Sequence, residues 1–593
     1  MENKLPLVVR FHRWRLRNLS ERRFIVILSV VVGIIAGIAA TVIKNAVWLA
    51  QDLIHSVTSG QDVENYVYFV LPALGILITV LIVKYIIKSP VRHGIPNVLH
   101  SISMRHGELS KHNLFSSVLT SAFTVGFGGS VGLEGPAVAT GAAYGSWLSK
   151  TLRLNYKNTM LMLACASAGA MSAIFKAPIA AIVFAVEIIM IDLTTYSLVP
   201  LLLASSSGVL TSYFFMGQDV LYPFNVETRF DLSVLPYYIL LGVFTGLVSA
   251  YFTKTYLYVE RFFGGFQSKS GRLAVGGLGL GILIFLFPSL YGEGYESINL
   301  CLEGDFSYLF NNSLFYDLKD HLWVGIILMI SVVLLKIVAT SLTFGSGGVG
   351  GIFAPTLFTG VNTGMLFAQL INLSGIKQLS TNNFALIGMA GLIAGVLQAP
   401  LTGIFLIADI SGGYKLFVPL MITATVSYLT VKIFASNSVY HIQLAKRKEL
   451  MTHDKDLYVI RMMEVKKLLE TDFTILRPDA TLGDLTKAIS KAHRNLFPVV
   501  DNEGYLKGMV KMDDVRHLIF KKELYDKVHV SHLMYLPEHF ISTEDSMEQV
   551  VDKFGSSGRY NLAVIDKGKY IGFISRARVF SYYRKTMAHF SHD

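Results

Sequence analysis

The first 440 residues read as apolar runs broken by short polar stretches, beginning at 24–50 and continuing at roughly 67–88, 115–127, 158–190, 195–216, 233–260, 272–289, 320–343, 351–371, 382–410 and 415–435. A bilayer core is crossed by about 20 apolar residues in a helix, and it offers no water to unpaired backbone groups. The runs therefore predict helices that cross or enter a membrane, although several are too short or too interrupted by glycine to span it. Broken segments at corresponding positions in two halves of a chain point to a transport site. Such a correspondence is present. Ala168-Gly169-Ala170-Met171-Ser172-Ala173-Ile174-Phe175-Lys176-Ala177-Pro178 matches Ala390-Gly391-Leu392-Ile393-Ala394-Gly395-Val396-Leu397-Gln398-Ala399-Pro400, and the match runs on until Glu187-Ile188 meets Asp409-Ile410. Upstream, Gly128-Gly129 through Glu134-Gly135-Pro136 matches Gly347-Gly348 through Phe353-Ala354-Pro355 at nearly the same offset along the chain. Two blocks that share an offset imply a duplication, with repeats over about 24–218 and 233–440. Small residues also let membrane helices pack closely, but packing alone does not explain paired helix starts with proline behind them.

From about Leu468 the pattern changes to short β-rich runs alternating with amphipathic helices. The first copy has a helix at 480–492, strands at 497–501 and 506–510, and a helix at 513–520. The second has a helix at 545–554 and strands at 562–566 and 571–575. The expected fold is an all-α polytopic membrane domain followed by an α/β soluble tandem. The boundaries fall at 1–23 for a basic segment, 24–440 for the membrane domain, 441–467 for a linker, and 468–526 and 527–593 for the two soluble copies.

Composition agrees with the division. The chain has 593 residues, 52% apolar and 16% charged, with a mean hydropathy of +0.50. Residues 441–593 hold 25 of the 52 Lys and Arg and 21 of the 41 Asp and Glu. The basic residues Lys4, Arg10, Arg13, Arg15, Arg17, Arg22 and Arg23 precede the first apolar run, which by the positive-inside rule places the N-terminus in the cytoplasm. That run is too long for a cleavable signal. A multi-pass protein of the cell (inner) membrane with both termini cytoplasmic is expected. The net charge of +11 then reflects topology and contact with anionic lipid, not nucleic-acid binding. Two cysteines, Cys165 and Cys301, read as small apolar fillers.

Within Gly128-Gly129-Ser130-Val131-Gly132-Leu133-Glu134-Gly135-Pro136 one carboxylate sits among glycines, deep in apolar sequence. An acid at membrane depth is costly and by default marks an ion or proton pathway. The surrounding pattern describes a helix that begins inside the membrane, whose free N–H groups and positive dipole end attract an anion, and Glu134 would compete with that anion. Gly94-Ile95-Pro96 offers a third such start where another apolar run stops. Other functions fit less well. The chain has neither a His-Glu-x-x-His zinc motif nor a Gly-x-x-x-x-Gly-Lys-Ser/Thr phosphate loop, so no enzymatic activity, metal or required cofactor is expected. A divalent cation (magnesium) transporter regulated by the soluble tandem is the distant alternative, but it wants several pore carboxylates and helix N-termini repel cations.

At these residues the chain resembles the CLC family of chloride channels and chloride/proton exchangers. The family's three anion-site signatures correspond to His93-Gly94-Ile95-Pro96, Gly132-Leu133-Glu134-Gly135-Pro136 and Gly351-Ile352-Phe353-Ala354-Pro355, and its anion-coordinating tyrosine corresponds to Tyr440. The resemblance implies a homodimer with one pore per subunit, built from two inverted halves, with chloride or nitrate as substrate and protons as a candidate second one. It implies that Glu134 is the gate, filling an anion site when ionised and leaving it when protonated. The amides near Ile352 and Phe353 and the Tyr440 hydroxyl would hold the central anion. Because the fluoride-exporting branch lacks the tyrosine, Tyr440 favours chloride over fluoride.

Two positions depart from the pattern. Exchangers often carry a second, inner glutamate where this chain has Ile188, although Glu187 lies one residue away and some family exchangers work without that acid. This tips the sequence reading toward a passive, voltage- or pH-gated channel, with the antiporter as the alternative. Glu187 has a plainer reading as well, ending its helix at the aqueous face as Asp409 would in the other half. His93 stands where chloride-selective members often have Ser; it is read chiefly as a packing residue, and secondarily as a pH-sensitive donor to the anion.

The tail resembles a tandem of CBS domains, a module that binds adenine nucleotides between its halves. The ligand pair is split between copies: the first has Lys511 and Asp514, the second Ser575 and Arg578. Nucleotide sensing through Lys511, Asp514 and Ser575, and a ligand-free dimerising scaffold, stand level at this point.

Overall fold

The computed structural model describes residues 14–15, 17–58, 64–91, 94–105, 107–191, 193–218, 231–311, 313–446, 460 and 463–591. Lys4, Arg10, Arg13 and His93 lie outside the described residues. The chain forms two compact units, Met1–Leu450 and Met451–Asp593.

The first half of the membrane unit runs α1 (Glu21–Thr58), α2 (Glu64–Ile82), α3 (Gly94–Met104), α4 (Ser116–Gly126), α5 (Glu134–Thr151), α6 (Tyr156–Phe175), α7 (Pro178–Glu187) and α8 (Thr195–Met216). The second half repeats the series as α9 (Leu235–Gly264), α10 (Lys269–Leu286), α11 (Tyr295–Leu302), α12 (Leu322–Gly345), α13 (Phe353–Leu373), α14 (Thr381–Val396), α15 (Pro400–Ile410) and α16 (Phe417–Phe434). Eight segments among the described residues are long and apolar enough to cross a membrane.

The expected runs at 158–190 and 382–410 each prove to be two helices. Lys176 and Gln398 take left-handed conformations, with φ of 57° and 54°, and Pro178 and Pro400 then open the next helix at its first position. Hydropathy could not show these breaks, because both arms of each run are apolar. The membrane unit also extends one element past Tyr440. Helix α17 (Val439–Lys446) buries Val439, Tyr440 and Leu444 in the same core as the preceding helices.

Close helix packing depends on glycine. A Cβ on Gly169 of α6 would lie 3.0 Å from the Gly33 Cα of α1, and one on Gly208 of α8 would lie 2.8 Å from the Gly169 Cα. Three backbones thus meet without side chains between them.

The soluble unit holds an antiparallel pair, β1 (Leu496–Val500) with β2 (Leu506–Lys511). Its second sheet is ordered β3 (Phe540–Ser542), β4 (Asn561–Asp566), β5 (Lys569–Ser575). Helices α19 (Leu482–Lys491) and α22 (Met547–Ser557) start from matching capping boxes on Thr481 and Ser546, between the short α18 (Val465–Leu468), α20 (Met512–Val515) and α21 (Val530–Leu533) and the closing α23 (Arg576–Ser591). The helix expected at 513–520 ends at Val515. Beyond it the chain turns through three-residue steps, Leu518 N to Val515 O at 2.9 Å and Lys521 N to Leu518 O at 3.0 Å. The Tyr525 hydroxyl, donating to Ile519 O at 2.7 Å, takes a carbonyl that a continuing helix would need.

Candidate anion site

The turns before α5 and α13 are built alike. Gly128 and Gly347 hold positive φ of 90° and 107°. Gly129 N donates to Thr124 O at 2.8 Å, and Gly348 N to Thr343 O at 2.9 Å. Each threonine hydroxyl then reaches across to the other half: Thr343 Oγ1 accepts from Ser130 N at 3.2 Å, and Thr124 Oγ1 accepts from Val349 N at 3.1 Å. Gly132 and Gly351 complete the exchange as an antiparallel bridge, each N–H donating to the other's carbonyl at 2.8 Å. Every one of these bonds has its counterpart at the matched position of the other half, so the duplication legible in the sequence is a local two-fold in the structure.

The two helices start from Leu133 and Ile352, neither of which supplies a capping side chain. Pro136 and Pro355 remove one N–H each in the first turn, leaving the amides of Glu134, Gly135, Phe353 and Ala354 as helix-start donors with the positive end of the dipole behind them. Helix α3 brings the third start to the same point. A Cβ built on Gly135 would come within 3.2 Å of the Gly351 Cα and 3.5 Å of the Gly94 Cα. Only glycine allows three helix starts to converge so closely. A small cavity of about 20 Å³, room for one particle near the size of a water, lies at this junction. Gly94, Ile95, Pro96, Gly135, Gly351, Ile352 and Tyr440 line it. Residues from all three helix starts and the tyrosine are therefore brought together.

Glu134 is 0% exposed. Its carboxylate faces the amides of Glu134 itself and Ala354, lies against Gly132, and accepts a hydrogen bond from the Tyr295 hydroxyl at Oε1. The side chain is thus folded back beside the two helix starts, with Oε1 bonded to Tyr295 and the buried Oε2 left without a hydrogen-bond partner. Phe353, its counterpart, is 0% exposed and packs on Phe175 with ring centroids 5.3 Å apart.

Glu187 and Ile188 are not among the residues lining that cavity. Glu187 caps the start of α15, accepting from Leu401 N at 3.1 Å, Thr402 N at 2.7 Å and Thr402 Oγ1 at 2.7 Å. Asp409 does the same for α7, accepting from Ile179 N at 3.2 Å and Ala180 N at 3.1 Å. Instead of simply ending its helix in water, each acid satisfies the free N–H groups of the antiparallel helix beside it. Ile188 is buried and apolar, with no group to bind a proton.

In the soluble unit Ser575 is already engaged. Its hydroxyl donates to Glu470 Oε1 at 2.5 Å and accepts from Arg578 N at 3.1 Å. The Lys511 ammonium stands 5.1 Å over the Tyr535 ring, and Asp514 lies in the short α20.

Sequence reasoning passed over Tyr295, and also Tyr256, Phe344 and Gln443 at the cavity. Gln443 Nε2 donates to the Tyr256 hydroxyl at 2.7 Å. The Gly294-Tyr295 start, matching Gly94-Ile95 in the series of helices, was the available signal for Tyr295.

A duplicated membrane fold with broken helices converging on one particle-sized cavity, and with an acid folded onto their ends, defines an ion-transport protein. Residues 74–432 match the family described as "Voltage gated chloride channel", and residues 465–521 and 530–585 match the CBS domain. The chain belongs to this CLC family and carries a C-terminal CBS tandem. It is 28% identical over 415 residues to a Ralstonia nicotianae protein named "Putative chloride channel protein ClcB-like", covering 68% of this chain and 91% of that one. It is 28% identical over 459 residues to a Salmonella arizonae protein named "H(+)/Cl(-) exchange transporter ClcA", covering 74% and 93%. Among solved structures, a slow cyanobacterial Cl−/H+ antiporter superposes with a TM-score of 0.61 at 20% identity over 72% of this chain and 99% of that one. A eukaryotic CLC transporter does so at 0.61 and 18% over 94% and 99%. At these identities the likeness is one of fold.

Proposed function

We propose that the membrane unit exchanges chloride for protons, with Glu134 as the protonatable gate, Gly94, Ile95, Pro96, Gly135, Gly351 and Ile352 forming the walls, Gly132, Leu133, Phe353 and Ala354 completing the helix starts, and Tyr440 beside the central anion; His93 is assigned to the site by its motif in the sequence alone. One observation carries the reading: the Glu134 carboxylate faces the amides of Glu134 and Ala354, donors that a chloride would otherwise use. Anion and carboxylate compete for one set of dipoles, so filling the site with chloride favours a protonated, displaced Glu134, and removing the proton favours a returned one. That reciprocity is what exchange requires.

Ile188 by itself argues for passive conduction, and the sequence reading leaned that way. Exchange is favoured instead because relatives matched along most of their length are named as H(+)/Cl(-) exchange transporters, and because an intact acid at the gate gives protons an entry. Ile188 does not bar exchange, because some exchangers of the family work without an acid at that position. Family membership supports a homodimer in the cell membrane with both termini cytoplasmic. In proteoliposomes under a chloride gradient, the voltage of zero net flux is expected to move when a pH gradient is added. A voltage that stays at the chloride Nernst potential at every pH gradient would overturn exchange in favour of a channel.

For the CBS tandem we infer a scaffold role without bound nucleotide, supported by the Ser575 hydroxyl being spent on Glu470 and Arg578. The melting temperature of the full chain is expected to be unchanged by ATP, AMP or S-adenosylmethionine; a concentration-dependent rise with any of them would restore nucleotide sensing.

A further inference from the structure

The gate is held by a residue outside the lining of the anion cavity. Tyr295 opens α11, and its hydroxyl donates to Glu134 Oε1. Among the described residues no other side chain is hydrogen-bonded to that carboxylate, and the buried Oε2 has no hydrogen-bond partner. Tyr295 is only half-buried, whereas Glu134 is 0% exposed.

The fold fixes where Tyr295 stands. In the series of helices α11 corresponds to α3, and each has a glycine of positive φ at its start, Gly294 at 86° and Gly94 at 20°. A Cβ on Gly294 would lie 2.6 Å from Cδ2 of Phe358 on α13, so the start of α11 is pressed on one of the two helices that meet at the site. The segment before it is bonded to the turn that precedes the other, α5. Gly292 N donates to Gly128 O at 3.1 Å, and Ser130 Oγ donates to Leu290 O at 2.7 Å. From behind, Nζ of Lys336 on α12 donates to Leu290 O at 3.2 Å and Gly292 O at 3.0 Å. Tyr295 is therefore anchored to both halves of the membrane unit. A donor fixed in this way keeps its place when the carboxylate leaves.

A hydrogen bond to a carboxylate favours its ionised form, and a bond to a charged group is worth more than one between neutral groups. Both statements apply to the state in which Glu134 occupies the site. The other titratable and charged groups that face Glu134 are Lys44 from α1, Glu293 from the segment before α11 and Tyr440 from α17, with Lys336 facing Glu293. A change confined to the Tyr295 oxygen leaves all of them in place.

We propose that Tyr295 is a positioning residue for the gate, a fixed hydroxyl that retains the ionised Glu134 beside the helix starts and so sets the pH at which Glu134 is released. The inference rests on Glu134 being the protonatable gate. Protonation removes the charge that makes the bond strong, and the anion then takes the place of the carboxylate. Without the hydroxyl the ionised gate has lost its side-chain donor, so it takes up a proton at higher pH.

The test is the pH dependence of chloride efflux from proteoliposomes holding the full-length protein. Tyr295→Phe, which deletes one oxygen and keeps the ring, is expected to move the midpoint of activation to higher pH by about 1 unit. Should Tyr295→Phe fail to fold, replacement of Tyr295 by 3-fluorotyrosine retains the hydroxyl as a more acidic, stronger donor, and is expected to move the midpoint to lower pH. Removing the donor and strengthening it thus predict opposite shifts, which a merely structural role would not produce. A midpoint that stays at the parent value in Tyr295→Phe, or that moves to lower pH, overturns the role of Tyr295, as does a midpoint that rises with 3-fluorotyrosine. Glu134→Gln separates the two ideas. Loss of pH dependence in Glu134→Gln together with an unmoved midpoint in Tyr295→Phe refutes the role of Tyr295 alone, whereas retained pH dependence in Glu134→Gln refutes the gate beneath it.

Discussion

The starts of α5 and α13 are one structure made twice, with the same positive-φ glycine, the same threonine exchange and the same glycine bridge, yet one opens on Glu134 and the other on Phe353. The ends of α7 and α15 are also a matched pair, but there the acid appears in both halves, and Glu187 and Asp409 each cap the other's helix. Charge that obeys the two-fold serves the architecture, because two antiparallel helix starts have the same unsatisfied donors and need the same remedy. Charge that departs from the two-fold is free for function. A gate has to be removable, and a carboxylate whose place can be taken by an anion is removable in a way that a reciprocal cap is not.

The severest challenge to this contrast lies at the glycine junction, where both halves meet. A methyl group on Gly351 would lie 3.0 Å from Gly135 N, and one on Gly135 3.2 Å from the Gly351 Cα. Backbone on both sides leaves little room to yield. Gly135→Ala and Gly351→Ala are each expected to abolish chloride flux in proteoliposomes, despite lying in different halves. Full flux in either would mean that the helix starts do not form one site.

A smaller effect is expected at the caps. Glu187→Gln and Asp409→Asn should cost about 1–2 kcal/mol each through weakened, formerly charge-assisted bonds at a helix start. The loss should appear as similar falls in detergent melting temperature, with the chloride-to-proton ratio unchanged. If Glu187→Gln instead eliminated proton transport while the melting temperature held, Glu187 would belong to the proton path and the symmetric acids would not be architectural.

Much of this was legible in the chain. The repeated glycine-rich starts and Glu134 could be read because close backbone approach and buried charge restrict residue choice so strongly that they leave local marks, whereas Tyr440 follows only from the resemblance to the CLC family. The breaks at Lys176 and Gln398 were harder to see, since a left-handed residue between apolar arms leaves hydropathy unchanged. Glu187 and Asp409 were visible as a pair of matched acids. Which N–H groups they would satisfy was not, because that depends on antiparallel packing of segments that lie in opposite halves of the membrane unit. Tyr295 left still less trace, being an ordinary residue at a helix start until the fold brings its hydroxyl to Glu134. The membrane class, the duplication and the single acid that departs from it follow from local composition and spacing, and so the amino-acid order was enough to establish them. Which carboxylates are caps and which hydroxyl meets Glu134 were settled by folding. Helix dipoles, backbone N–H groups and buried ammonium ions act over a few ångströms in space, whatever their separation along the chain.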